Sequence, residues 1–269
     1  MMRVRYQEPR QETALITGAS GGIGYELAKL FAYERHNLVL VDKRGEKLNE
    51  IAHEFEKEYG IFVKTIVIDL SSATSAEEIF TILQKESIKV DILINNAGFG
   101  SYGFFHETDL ITEQQMLQVN VMCITSLTKL FLKDMVKQGY GKILNVASTA
   151  AFQSGPLMAV YFATKAYVLS FSEAIANELE GTGVTVTALC PGPTSSGFQY
   201  TTGMQNAKAA SSWRLMDPTT VAKIGYDGLM ANKTVVIPGF TNKLLATAAR
   251  FADKKLVTKI VRNIHQAGA

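Results

Sequence analysis

Several things that would settle a class at once are scarce in this chain. Its 269 residues hold two cysteines, Cys123 and Cys190, both in apolar surroundings and neither at metal-ligand spacing. This argues against a disulfide framework or a metal site and fits free, buried thiols in a reducing compartment. Net charge is only +2, too small in total to point to nucleic acid. No apolar run is long enough to span a bilayer. The opening MMRVRYQEPRQE is polar and lacks the apolar region of a signal peptide. No repeat or low-complexity linker interrupts the chain. A soluble, cytoplasmic protein is expected.

What is present is ordinary globular material, 47% hydrophobic and 19% charged, enough for a full core in one α/β domain. Charge is unevenly placed. From Asn242 onward Lys243, Arg250, Lys254, Lys255, Lys259 and Arg262 face one acid, Asp253. That leaves +5 for the tail and −3 for everything before it.

Short apolar strands alternate with amphipathic stretches. TALIT (13–17), NLVLVD (37–42), FVKTIVID (62–69), VDILINNAG (90–98), GKILNVAS (141–148), VTVTALC (184–190) and TVVIPG (234–239) read as strands. Helices are expected over 22–35, 44–59, 71–86 with polar caps at its start, 112–138 as one long helix, and most of 156–180. Strands covered on both faces and alternating with helices predict a doubly wound, mostly parallel sheet. The expected layout is a 1–12 extension, a 13–240 domain and a 241–269 basic helical tail. The irregular stretch 194–216, which holds the single tryptophan, Trp213, reads as a lid.

Gly18, Ser20, Gly21, Gly22, Ile23 and Gly24 form a glycine-rich turn between the first strand and helix. Such a turn lets a backbone approach a pyrophosphate closely, with the helix N-terminus facing the phosphates. The spacing is Gly18-x-x-x-Gly22-x-Gly24, and an acid, Asp42, ends the second strand. Asp69 ends the third strand, where a carboxylate suits either an adenine amine or the cap of the next helix. Asn95-Asn96-Ala97-Gly98 ends the fourth. Four strand ends thus carry small or polar residues suited to one extended dinucleotide at the carboxyl edge of the sheet.

Tyr161 and Lys165, at i and i+4, share one helix face. A nearby ammonium favours the phenolate, so Lys165 is expected to lower the Tyr161 pKa and tune it as a general acid/base. Ser148, thirteen residues upstream, is placed to hold a substrate oxygen beside that phenol. A dinucleotide cradle with this set points to hydride transfer between a nicotinamide and a carbonyl or alcohol.

TGASGGIG (17–24), Asp69-Leu70, NNAG (95–98), Asn120, Ser148, YFATK (161–165) and Pro191-Gly192, in that order, resemble the short-chain dehydrogenase/reductase family over about residues 10–240. The resemblance implies a seven-stranded Rossmann fold and a catalytic set of Ser148, Tyr161, Lys165 and Asn120. It also implies a small-molecule substrate and a homodimer or homotetramer. In this family Asn120 supports a proton-relay water. Residues 191–196 depart mildly from the family pattern, with Ser196 at the usual threonine and Thr194 nearby. The implied cofactor contacts are the glycine turn, Asp42, Lys43, Arg44, Asp69, Leu70, Asn95 to Gly98, Tyr161, Lys165, Pro191, Gly192, Thr194 and Ser196.

The cofactor is NAD or NADP. Asp42 favours NAD, whereas Lys43 and Arg44 offer partners to a 2′-phosphate; the balance leans to NAD. Phe99, Tyr102, Phe104, Phe105, Phe152, Leu157, Met158, Phe198, Tyr200, Met204 and Trp213 suggest a pocket for a lipophilic ketone, aldehyde or alcohol. A helical tail packed over its own domain is preferred to one touching an anionic membrane. The rivals are a non-catalytic NAD(P)-sensing protein, which has no need of all four catalytic groups, and a lyase or epimerase, for which too few residues follow Gly192.

Overall fold

The computed structural model describes residues 11–197 and 215–266. The strands are β1 (Thr13–Thr17), β2 (Asn37–Asp42), β3 (Val63–Val67), β4 (Ile92–Asn95), β5 (Gly141–Val146), β6 (Val184–Leu189) and β7 (Val235–Val236). They form one all-parallel sheet in the order β3-β2-β1-β4-β5-β6-β7. The order reverses between β1 and β4, and their carboxyl ends diverge there into a crevice.

The alternation along each strand builds two cores. Ala14, Ile16, Leu38, Leu40, Ile92 and Ile94 face α1 (Gly22–Tyr33), α2 (Gly45–Tyr59) and α7 (Pro218–Met230). Leu15, Val39, Val41, Leu93 and Ile143 face α3 (Ser75–Lys85) and α5 (Ile124–Gln138), with α6 (Ala159–Glu178) packed alongside. This is the expected doubly wound single domain. β7 is shorter than TVVIPG suggests, with only two residues paired.

Two details differ from the sequence reading. Thr74 makes no side-chain cap to α3; its hydroxyl goes to Glu78 instead. The expected helix over 112–138 is α4 (Leu110–Leu117) and α5, joined by a π-helical turn at Gln118–Cys123. The extra residue of a π-turn rotates side chains relative to the flanking helix, and here it carries Asn120 into the interior, fully buried.

Beyond the sheet, α8 (Phe240–Phe251) and α9 (Lys254–Gln266) fold back across its carboxyl edge. The tail therefore packs over its own domain. The loop leaving β6 is closed at its base, where Thr194 pairs with Met216. Most of the expected lid, with Phe198, Tyr200, Met204 and Trp213, lies outside the described residues.

Candidate active site

A single cleft of about 1100 Å³ runs along the carboxyl ends of the strands. Its floor at one end is the glycine turn. Gly18 has φ +66, and a Cβ on Gly24 would run into the Gly18 carbonyl oxygen and the Asn96 amide. Asn96 donates to the carbonyls of Thr17 and Gly18, at 2.9 and 3.2 Å. The Thr17 hydroxyl accepts the N–H groups of Asn96 and Ala97, both at 3.0 Å. The two loops are thus one cross-braced unit with α1 opening from it, a cradle that fits a pyrophosphate. Thr17 was not singled out from sequence, although it opens the same motif.

Asp42 closes this end. It is 7% exposed. Its carboxylate accepts from the Ser20 N–H (3.2 Å), the Arg44 N–H (3.1 Å) and Arg44 Nε (3.3 Å). Burial alone would raise its pKa, but the hydrogen bonds from Ser20 and Arg44 outweigh burial and hold it below the usual carboxylate value. The Arg44 guanidinium extends over Gly21. Lys43 is exposed, 4.0 Å from Asp69. Asp69 does not cap α3. It accepts the Ser71 N–H at 2.9 Å, and this bond with the Ser71 hydroxyl keeps its pKa low.

Ser148, Tyr161 and Lys165 meet in the middle of the cleft. Ser148 follows β5 and begins the 3-10 turn Thr149–Phe152, its Oγ accepting the Ala150 N–H at 3.1 Å. The chain then turns through Leu157 at φ +69, a strained conformation for leucine costing about 1 kcal/mol or more. The Leu157 carbonyl accepts the Gly103 N–H, and α6 starts two residues later with Tyr161 on its first turn. Ser148 and Tyr161 are hydrogen-bonded through their side chains. Lys165 Nζ donates to the Val146 carbonyl at 2.8 Å and lies 5.8 Å from the Tyr161 ring centre.

The lowered Tyr161 pKa expected from the neighbouring Lys165 is not found, because burial dominates. Burial pushes the phenol up to about 12, against the hydrogen bond with Ser148, which pulls it down. The ammonium is tied to the end of β5, and burial lowers its own pKa to about 8, partly offset by the Cys190 thiol. At neutral pH this arrangement holds a protonated phenol beside a charged lysine.

Four residues read as site residues stand one layer behind the cleft. The Asn120 amide donates to the Phe99 carbonyl (2.9 Å) and Thr164 Oγ1 (3.1 Å) and accepts the Phe99 N–H (3.1 Å). It clamps the loop after β4 to α6. Asn95 turns its side chain into the core, donating to Thr128 and Asn145, because strand alternation sends it opposite to Asn96. Ser20 and Gly24 support the turn from within. The remaining Gly18, Gly21, Gly22, Ile23, Leu70, Ala97, Gly98, Pro191, Gly192, Thr194 and Ser196 line the cleft together.

The other end of the cleft is a wall of side chains from the tail. Leu245, Ala249, Val257, Ile260, Val261 and Ile264 face Met158 and Phe162 across it. His265 secures this wall. Its Nδ1–H donates to the Pro156 carbonyl at 2.7 Å, its ring meets Phe162 edge-on, and its carbonyl accepts the Tyr102 hydroxyl at 2.8 Å. Burial lowers its pKa, against the bond to Pro156. Of the apolar and aromatic residues expected in the pocket, Phe99 and Met158 line it, Tyr102 ties down the tail, and Phe104 and Phe105 are exposed. Phe152 instead carries the Arg250 guanidinium, 5.0 Å from its ring centre.

A parallel sheet with a dinucleotide cradle at its switch point and a Ser-Tyr-Lys cluster beside it defines an oxidoreductase of the nicotinamide type. The chain belongs to the short chain dehydrogenase family, whose model matches residues 12–207, and is an NAD(P)-dependent enzyme of that family. It is 30% identical to a very-long-chain 3-oxoacyl-CoA reductase of Anas platyrhynchos over 91% of this chain and 84% of the relative. It is 31% identical to Ketoacyl reductase HetN of Nostoc sp., over 84% and 78% of the two chains. Among solved structures it is similar to a short-chain dehydrogenase from Sphingobium yanoikuyae in complex with NADPH, with TM-score 0.81, 28% identity, and 96% and 98% of the two chains covered.

Proposed function

We propose that this enzyme reduces the ketone of a lipophilic substrate, or oxidises the corresponding secondary alcohol, with Tyr161 as the acid/base. The observation that carries this is the Ser148–Tyr161 hydroxyl pair, set between the glycine cradle and the apolar wall of α8 and α9. The nicotinamide, when bound, supplies or accepts the hydride. Tyr161 gives its proton to the substrate oxygen in reduction and takes it back in oxidation. Ser148 holds the same oxygen. Lys165 places a positive charge behind the phenol and helps to hold the cofactor ribose. Asn120 is a positioning residue, since it holds the Phe99 loop and α6 in register.

The names of the two relatives favour a 3-oxoacyl thioester as the first substrate to test. NAD(H) is favoured over NADP(H), because the buried, ionised Asp42 faces the place where an adenosine 2′-phosphate would sit. Tyr161→Phe should lower kcat/KM by about 10³-fold or more while leaving the NADH dissociation constant within about twofold. Retained turnover would remove Tyr161 from its role, and lost cofactor binding would place it in the cradle instead.

A further inference from the structure

The two tail helices also show apolar side chains to solvent, some of them, Ile260 and Ile264, at the cleft mouth. On α8, Phe240 and Phe251 are 84% and 86% exposed, and Leu244 lies between them on the same stripe. On α9, Leu256, Ile260 and Ile264 form a second stripe at i, i+4 and i+8, all exposed. A stable protein seldom leaves so much contiguous apolar surface unpartnered. Around the stripes stand Lys243, Lys254, Lys255, Lys259 and Arg262, none in an ion pair among the described residues. The sixth cation, Arg250, is committed to Phe152 and, at 3.7 Å, to Glu173. The one acid, Asp253, is spent capping α9 through the Leu256 N–H. No described helix is long and apolar enough to cross a membrane.

We propose that α8 and α9 together form a docking surface for a lipid bilayer with anionic headgroups. Apolar stripes edged by lysine and arginine outside any ion pair among the described residues are what an interfacial helix needs, with apolar burial and charge acting together. A second copy of the chain is a poorer fit. A two-fold contact would set this patch against itself and bring the five cations of each copy face to face. The cleft argues for lipid too, because Leu245, Ile260 and Ile264 both line it and reach the surface. A lipophilic substrate dissolved in the bilayer would meet the cleft mouth at the membrane plane. The docking surface holds whichever carbonyl the enzyme reduces, so its test reads binding and not turnover.

The full-length protein is sedimented with sucrose-loaded vesicles of phosphatidylcholine alone and with about 30% phosphatidylglycerol added, at roughly 0.1 M salt, where charge attraction still acts at short range. Partitioning onto the anionic vesicles should exceed that onto the neutral ones by about tenfold or more. Reversal of charge in Lys254→Glu/Lys255→Glu/Lys259→Glu should remove that excess. Phe240→Ser/Phe251→Ser, at two of the most exposed side chains, should lower binding about three- to tenfold with the circular dichroism spectrum and Tm unchanged. Equal binding to both vesicles, no binding, or indifference to both variants overturns the proposal. Self-association in the ultracentrifuge that Phe240→Ser/Phe251→Ser abolishes, without vesicle binding, overturns it in favour of a second copy.

Discussion

The two ends of the cleft are built on different principles. The cofactor end is backbone: glycine turns, strand ends and the loop after β4, braced by Thr17 and Asn96 and carried on four paired strands. The substrate end is side chain: alanine, leucine, isoleucine and valine from two helices far along the sequence, tied down by His265, Tyr102 and Arg250. One end has no room for a side chain at Gly18, Gly22 or Gly24. The other can change size and polarity residue by residue without disturbing the sheet. On the proposed function, rigid geometry would hold the cofactor and replaceable surface the substrate.

The largest effect should come from breaking the backbone end. Gly24→Ala drives a methyl into the Gly18 carbonyl and the Asn96 amide, neither of which can yield without opening the cross-brace. A cost of about 3 kcal/mol is expected, seen as a loss of up to about a hundredfold in NADH affinity by fluorescence titration and a lower Tm. Wild-type affinity in this variant would mean that the turn is softer than the braced geometry implies.

A smaller effect should come from Asp42→Asn. It removes the charge that opposes a 2′-phosphate and frees Arg44, whose guanidinium already lies over Gly21. The ratio of kcat/KM for NADPH to that for NADH should rise about 10- to 100-fold, most of it in the NADPH KM. An unchanged ratio would show that Arg44 and Lys43 already set the preference and that Asp42 serves only to order the turn.

The same division decided what could be read from sequence. Backbone sites depend on glycine, strand ends and local spacing, so TGASGGIG and NNAG could be read locally, and the structure brings them into one cleft with the Tyr161–Lys165 pair. The π-turn at Gln118–Cys123 escaped, because no residue type marks where a helix takes in one extra residue. Asn120 read as an ordinary helix residue apart from the family pattern. Lys165 stands beside Tyr161, but the phenol pKa rises because of burial, and burial and the bond of Lys165 to Val146 appear only in three dimensions. The tail was legible as amphipathic, and its packing on the domain was the preferred reading. Nothing local in its sequence said that it would wall the substrate cleft. The lone histidine on its inner stripe, His265, was the available hint.

That histidine gives the finest test of the side-chain end. His265→Ala deletes the donor to Pro156 and the edge-on contact with Phe162, worth about 1–2 kcal/mol together. The loss falls on the wall and not on the reacting groups. KM for a lipophilic ketone should therefore rise about tenfold, with kcat and the NADH dissociation constant within about twofold. His265→Asn keeps an N–H where Nδ1 donates and should recover part of the loss. A fall in kcat without a change in KM would put His265 in contact with the chemistry, and the contrast between a rigid cofactor end and an adjustable substrate end would then fail at its best-defined point.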